Sequence, residues 1–239
     1  MKMFQITMAL LVCLALAAVA QYKEIEVKDG GTISGVVKKK GEIPKDPMLK
    51  VTADQEFCGE EIAAEHYVIS AAGEIKYAAA FIEGIKEGAK LDKATPAFID
   101  NVACRNEPRV IIAPKGGTMT YKNSDPINHT AHYYLMKGDK KQSLINQALP
   151  KKDMVAKHKK PLRKEGLVFI GCDPHDWEEG WIWVLPHPYG AVTDAKGTFK
   201  IENVPAGKHK LKVWHEKLGE KTVDVEVKAG AEAKVTVEF

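Results

Sequence analysis

The amino-acid sequence predicts an all-β fold. Apolar and polar residues alternate along many short segments, as at residues 222–227 (TVDVEV), and this period of two is typical of half-buried strands. Turns rich in Gly or Pro separate the segments, for example at residues 29–31 and 205–207. One short stretch, residues 60–65, suits a helix. The pattern therefore indicates a β-sandwich or a β-barrel.

Strand-like runs recur along the whole chain after its first thirty residues. Each run is rich in β-branched or aromatic residues and is bounded by turn residues, which is how strands are punctuated. The runs cover residues 32–37, 77–82, 109–113, 118–122, 167–172, 181–185, 197–201, 209–214, 222–227 and 233–239. A chain of 239 residues with 45% hydrophobic content can bury one large core or two small ones.

Residues 1–20 have the features of a secretory signal peptide. A lysine near the start precedes an apolar stretch, and Ala18-Val19-Ala20 suits a signal peptidase. A membrane anchor is the alternative, but the apolar run is shorter than the roughly 20 residues that a spanning helix needs. We therefore expect a mature chain that begins at Gln21, has no membrane span and is periplasmic or secreted.

The formal charge of +3 is too small to imply a nucleic-acid partner, because 35 basic and 32 acidic residues nearly cancel. Basic residues are concentrated at residues 137–164, where only two aspartates oppose them. This segment is either a solvated loop and strand face or a docking surface for a redox partner such as a cytochrome.

Export bears on the cysteines, because thiols outside the cytoplasm are usually paired. The expected mature chain keeps Cys58, Cys104 and Cys172. Neither Cys58 nor Cys104 has a nearby histidine, so a structural disulfide between them is the natural pairing. Cys172 is then unpaired, and the residues around it indicate a metal site.

Cys172 stands directly after a predicted strand, with His175 three residues later and His129 about forty residues upstream. One thiolate and two imidazoles suit copper in both of its redox states, because the soft sulfur stabilises the reduced ion and nitrogen accepts the oxidised one. With Glu178 added, the same side chains would also form a closed tetrahedral zinc set. We predict one copper ion, with zinc as the alternative.

These residues resemble those of the cupredoxin family, which includes plastocyanin. The resemblance covers residues 98–186 and rests on Cys172-x-x-His175 and on His129 after an Asn-x-Asp turn, with Thr130 where the family carries Asn. A group of exported plastocyanin-like proteins, labelled methylamine-utilisation proteins, is a closer match over nearly the whole mature chain. The strings that this group shares are GTISGVV at 31–37, CDxHxW at 172–177, HPY at 187–189 and WHE at 214–216.

The chain departs from these relatives at the axial ligand of the metal. Plastocyanin-like proteins place Met where Gly180 stands, and the closer group places Met where Glu178 stands. Glu178 is therefore a candidate fourth ligand. The alternative is that its side chain points to solvent, because Asp176 and Glu179 make the loop look hydrated, and that the axial position is empty or filled by a backbone carbonyl.

The two ends of the chain resemble a second family. Residues 192–207, with their Gly-x-Phe and Pro-x-Gly turns, resemble the carboxypeptidase regulatory-like, transthyretin-like β-sandwich, whose upstream strands match residues 33–37 and 78–84. We therefore predict a discontinuous sandwich of residues 31–90 and 187–239, interrupted by the cupredoxin-like Greek-key domain at 98–186.

The combined expectation is an exported one-electron carrier rather than an enzyme, since no catalytic motif accompanies the ligand set. Two alternatives stay open: copper storage or delivery, and a cell-surface binding or structural protein whose copper or zinc only stabilises the fold. The sequence also leaves open whether His132, His187 and His215 form a second metal site.

Overall fold

The computed structural model describes residues 21–239, so the predicted signal peptide at 1–20 lies outside the described residues. Almost all of the regular structure is β. The strands are β1 (Lys23–Glu24), β2 (Gly31–Lys38), β3 (Met48–Lys50), β4 (Glu61–Ala63), β5 (Ala79–Glu83), β6 (Glu87–Gly88), β7 (Ala97–Asn101), β8 (Asn106–Glu107), β9 (Val110–Pro114), β10 (Met119–Asn123), β11 (His129–Lys137), β12 (Lys140–Leu149), β13 (Met154–His158), β14 (Gly166–Gly171), β15 (Gly180–Leu185), β16 (Gly190–Val192), β17 (Thr198–Val204), β18 (Gly207–His215), β19 (Gly219–Val227) and β20 (Glu232–Glu238). Within residues 21–239, no helix is long and apolar enough to cross a membrane.

The predicted all-β class is confirmed, and every segment predicted as a strand overlaps an observed one. The predicted helix at residues 60–65 is wrong. The helix, α1, is Gln55–Cys58, and it ends at Gly59, whose φ of 83° lies in the left-handed region that favours glycine. Half of the predicted stretch forms β4, which pairs with β3 and buries Ile62.

Two sheets pack into what we name the central sandwich. One has the strand order β13-β10-β7-β8, and the other has the order β12-β11-β14-β15-β9. Alternate side chains of facing strands fill the space between them, because successive residues of a strand point to opposite faces. Its core is formed by Ile99, Ala113, Met119, Tyr121, Ala131, Tyr133, Leu135, Leu149, Leu162, Val168, Ile170, Ile182 and Val184.

Two further sheets, with the orders β16-β5-β18-β19 and β17-β2-β20, form the flanking sandwich. Its core draws on both ends of the chain, with Ile33 and Val37 of β2 packed in one cluster with Leu211 and Val213 of β18. Strand β2 also pairs in parallel with β20, the last strand of the chain. The predicted domain boundaries at 31–90, 98–186 and 187–239 stay a prediction.

The two sandwiches meet through aromatic residues. Trp214 of β18 lies 5.4 Å from Trp181 and 6.0 Å from Trp183 between ring centroids, both in β15 of the central sandwich. Phe81 of β5 packs on Trp183 at 4.7 Å. Aromatic pairs at these separations are favourable. These contacts therefore hold the flanking sandwich against β15 of the central sandwich.

Candidate metal centre

Four side chains of metal-binding type meet at one end of the central sandwich. His129 begins β11, Cys172 directly follows β14, and His175 and Glu178 lie in the turn that leads into β15. All four are buried, and one donor atom from each lies within 4.8 Å of the others. Sequence reasoning predicted these four residues, and the fold brings them together.

The nitrogen and sulfur atoms are spaced as ligands of one ion. Sγ of Cys172 lies 3.7 Å from Nδ1 of His129 and 3.5 Å from Nδ1 of His175, and the two Nδ1 atoms are 3.2 Å apart. A metal about 2.0 Å from nitrogen and about 2.3 Å from sulfur, at tetrahedral angles, separates sulfur from nitrogen by about 3.5 Å and nitrogen from nitrogen by about 3.3 Å. The donor atoms therefore already have the spacing that an ion requires.

Glu178 is directed at these atoms and not at solvent. Its side chain is fully buried; Oε2 lies 2.9 Å from Nδ1 of His129, and Oε1 lies 3.2 Å from Nδ1 of His175. Asn101 donates a hydrogen bond to Oε2 at 3.1 Å. Within residues 21–239, Oε1 accepts no hydrogen bond. The alternative of a solvent-facing Glu178 is therefore wrong, and a buried oxygen without a donor fits a bound cation.

The outer nitrogen of each imidazole contacts a carboxylate. Nε2 of His175 lies 2.8 Å from Oδ2 of Asp54, and Nε2 of His129 lies 3.1 Å from Oδ2 of Asp125. Such contacts hold the ring orientation and leave the inner nitrogen to bind an ion. Asp125 is itself held by the backbone N–H groups of Ala103 and Cys104, at 2.8 Å each.

Thr130 replaces the asparagine of the cupredoxin pattern and still ties the two ligand loops together. Its backbone N–H donates to Sγ of Cys172 at 3.3 Å, and its hydroxyl oxygen accepts from the N–H of Asp173 at 2.7 Å. A hydrogen bond to sulfur stabilises negative charge there. Thr130 therefore connects the two ligand loops.

The ionisable groups of the centre shift one another's pKa. Burial lowers the pKa of His129, but contacts with Cys172 and Glu178 outweigh burial and raise it to about 9. Burial likewise lowers the pKa of His175, and contacts with Cys172, Glu178 and Asp54 raise it to about 10. Burial raises the pKa of Glu178, whereas the two imidazoles lower it overall. The centre thus favours positive charge, and a metal cation can supply this charge in place of protons.

The predicted disulfide is present. Cys58 and Cys104 are bonded, and Cys172 is the free cysteine of the described residues. Cys172 therefore remains available to an ion. Its thiol is buried beside the two imidazoles.

The structure does not bring the other predicted histidines together. His132 contacts Asp173 and stacks on Tyr134, whereas His187 and His215 are buried separately. Among residues 21–239, none of the three belongs to a group of side chains that could hold a metal. They are therefore not candidates for a second metal site.

A second group with metal-type side chains consists of His66, Glu179 and Glu216. The buried guanidinium of Arg109 already contacts both carboxylates, at 3.0 Å from Glu179 and through two nitrogens to Glu216. A cation does not fit beside this charge, because Arg109 supplies the positive partner that the carboxylates need.

Sequence reasoning missed the residues that support the ligands. Asp125 lies within the Asn-x-Asp turn, four residues before His129, and that spacing could have indicated the contact. Asp54 is 121 residues from His175 and lies outside every motif, so no local signal pointed to it. Asn101 is likewise distant in sequence from Glu178, by 77 positions.

The fold and the site together define an all-β protein with a buried sulfur, nitrogen and oxygen donor set. A family model described as polysaccharide lyase family 4, domain II, matches residues 186–235, within the C-terminal part of the chain. This is a different family from the carboxypeptidase regulatory-like one, which stays a prediction. No curated protein matches the chain.

Solved structures of copper proteins are similar to part of the chain. A purple cupredoxin from Nitrosopumilus maritimus is 24% identical, covers 37% of this chain and 99% of its own, and has a TM-score of 0.31. Amicyanin from Paracoccus versutus is 16% identical, with 38% and 83% covered and a TM-score of 0.32. A copper-containing nitrite reductase from Thermus scotoductus SA-01 is 20% identical at a TM-score of 0.31; the match covers 41% of this chain and only 24% of the reductase.

Proposed function

We propose that this protein binds one copper ion and works as a one-electron carrier. The observation that carries the proposal is the buried convergence of Cys172 Sγ with the Nδ1 atoms of His129 and His175, completed by the carboxylate of Glu178. The two imidazole nitrogens are 3.2 Å apart. They cannot both direct a proton into the centre without repulsion, but both can donate lone pairs to one cation.

Bound copper would supply reversible one-electron oxidation and reduction. The chain's residues hold the donor atoms at fixed separations, so the ligands move little when the charge at the centre changes. Asp54, Asp125 and Asn101 fix the imidazoles and Glu178 from outside. Full burial of His129 and His175 keeps water from the centre. Fixed donors in a dry site favour a carrier over copper delivery, which needs exposed ligands.

Zinc fits the same donor spacing, so the choice of copper rests on the chemistry of the ligands. The thiolate suits reduced copper, and the imidazoles together with a carboxylate suit oxidised copper. We infer a carrier and not an enzyme, because the buried donor atoms leave no place for a substrate to reach them.

We also propose that the carrier acts in the periplasm or at the cell surface. The signal-like character of residues 1–20 supports export. The Cys58–Cys104 disulfide agrees with an oxidising compartment. The partner would be a redox protein such as a cytochrome, docking on the lysine-rich residues 137–164.

Optical and electron paramagnetic resonance spectra of the copper-loaded protein test the function. Wild type should show an intense sulfur-to-copper absorption band and a reversible midpoint potential. Cys172→Ser should abolish the band because the thiolate is its source. Asp176→Asn is the control, since Asp176 is exposed on the same loop. Preference for zinc over copper, or a band that survives Cys172→Ser, would contradict the proposal.

A further inference from the structure

The end of the central sandwich that carries the ligands is covered by residues 48–63, which belong to neither sandwich. Strands β3 and β4 pair with each other alone, and α1 lies between them. The apolar side chains of Val51 and Ile62 pack with Cys104 and Trp177 of the central sandwich in one small core. We name residues 48–63 the cap.

The cap reaches the metal centre through Asp54. This residue stands at the N-cap of α1, where an aspartate usually accepts a hydrogen bond from the helix backbone. Here its side chain makes no such bond, and its φ of 51° places it in the left-handed region. The carboxylate contacts Nε2 of His175 at 2.8 Å instead. Asp54 thus gives up helix capping and adopts an uncommon backbone conformation to meet a ligand residue.

The cap is also tied covalently to the support of the other imidazole. Its Cys58 is bonded to Cys104, the N–H of Cys104 donates to Oδ2 of Asp125 at 2.8 Å, and the same oxygen lies 3.1 Å from Nε2 of His129. The outer nitrogen of each ligand histidine is therefore connected to the cap, directly through Asp54 or by way of the disulfide.

We propose that the cap closes the metal centre, with Asp54 as the positioning residue for His175 and the Cys58–Cys104 disulfide as the tether. Beneath the cap, the His175 ring has no exposed surface. A partner or a chelator that needs this ring must therefore wait for the cap to open. The role of Asp54 rests on the proposed copper centre. The covering of His175, and with it of Cys172, whose Sγ lies 3.5 Å from Nδ1 of His175, does not.

Chemical modification of the metal-free full-length protein tests the covering. Diethyl pyrocarbonate would label His175, iodoacetamide would label Cys172, and peptide mapping would follow each site separately. In Cys58→Ser/Cys104→Ser both labelling rates should rise at least about tenfold, because loss of the tether favours local opening. Asp54→Ala, which keeps the disulfide, should also raise the rate at Cys172, which Asp54 does not contact. His175 is not the readout for this variant, because loss of the carboxylate by itself makes its ring more reactive.

Glu56→Gln is the matched control, since Glu56 is an exposed carboxylate on the same short helix. It should leave both rates at the wild-type value. Circular dichroism would verify the β fold of each variant. If the disulfide variant is unfolded, the labelling rates of Asp54→Ala alone test the covering. The proposed cap would be overturned if Cys172 of Asp54→Ala were labelled at the wild-type rate, or if Glu56→Gln showed an equal increase.

The copper-loaded protein tests the positioning role separately. Asp54→Asn should raise the midpoint potential, because a neutral partner makes the His175 ring a weaker donor to the oxidised ion. Asp54→Glu should restore part of the shift, and Glu56→Gln should cause none. If the Asp54 variants are labelled faster but keep the wild-type midpoint potential, the cap is supported and the positioning role of Asp54 is overturned. If the protein takes up no copper at all, the proposed function fails while the labelling result still stands.

Discussion

At the scale of single residues, Glu178 has the most influence on the character of a bound ion. Its anionic oxygen lies among softer ligands and stabilises an oxidised ion over a reduced one. Glu178→Met should therefore raise the midpoint potential of the copper-loaded protein and move its spectrum toward blue. Glu178→Gln should do the same more weakly, because the amide keeps an oxygen and loses the charge. Voltammetry and optical spectra measure both effects.

The control for Glu178 is Asp176→Asn, which removes a charge from the same loop at an exposed position. Equal shifts in the control would mean that loop charge, and not coordination, sets the potential. If neither substitution at Glu178 changes spectrum or potential, Glu178 is not a ligand.

Two buried histidines outside the centre predict acid sensitivity. Burial lowers the pKa of His215 to about 4 and that of His187 to about 4. The unfolded chain therefore binds protons between pH 6.5 and 4 that the folded chain does not, so stability is full above pH 6.5 and falls as pH drops through 4. A shift of this size corresponds to about 3 kcal/mol per histidine.

His215→Asn tests this sensitivity. The ring nitrogen Nδ1 of His215 accepts from the N–H groups of Lys217 and Leu218, at 3.3 Å each, and the asparagine oxygen can replace that acceptor. The variant cannot be protonated, so its free energy of unfolding should fall less than that of wild type between pH 6.5 and 4. Denaturant unfolding at several pH values measures the difference, and parallel curves would contradict it.

At the scale of structural elements, Arg109 links three segments. It precedes β9 and contacts Glu179 before β15 and Glu216 after β18. Arg109 is 3% exposed, so burial lowers the pKa of its guanidinium, while the bond to Glu216 raises it overall. Arg109→Met removes the buried cation that contacts both carboxylates and should cost about 3 kcal/mol of unfolding free energy.

The control for Arg109 is Lys210→Met, which breaks the exposed pair with Asp224 and should cost less than about 1 kcal/mol. Adding Glu216→Gln to Arg109→Met should recover part of the loss, because one unpaired charge is removed. A loss in Arg109→Met no larger than in Lys210→Met would mean that the buried network does not join the elements.

The sequence predicted elements wherever one local pattern dominated. Alternation found strands such as β19 and β20, and the lack of histidine near Cys58 and Cys104 indicated their disulfide. The sequence did not predict β12, because seven of its ten side chains are polar or small and most face solvent. This strand forms by pairing with β11. The cap escaped notice since its contacts with the ligands join residues more than a hundred positions apart.

At the scale of the whole molecule, the proposed cap would limit where a redox partner approaches. His175 is fully buried, so electron exchange with the proposed copper ion would use a neighbouring surface. Lys151 and Lys152 are exposed and follow β12 after Pro150. Leu149, the last residue of β12, pairs with His129 across the sheet. These two lysines therefore lie at the metal end of the basic segment at residues 137–164.

Positive charge at this end should attract anionic partners and speed their encounter. We expect ferricyanide to oxidise the copper-loaded protein faster than a cationic cobalt complex does, with a rate that falls as salt is added. Lys151→Glu/Lys152→Glu should slow the reaction about tenfold, as followed by stopped-flow absorbance. Lys208→Glu/Lys228→Glu changes the net charge equally on the flanking sandwich, where both lysines are exposed. Net charge acts from any surface, whereas local potential acts only near the centre. Equal slowing in the two variants would therefore locate no docking surface. A larger effect in Lys151→Glu/Lys152→Glu would assign the docking surface to the metal end.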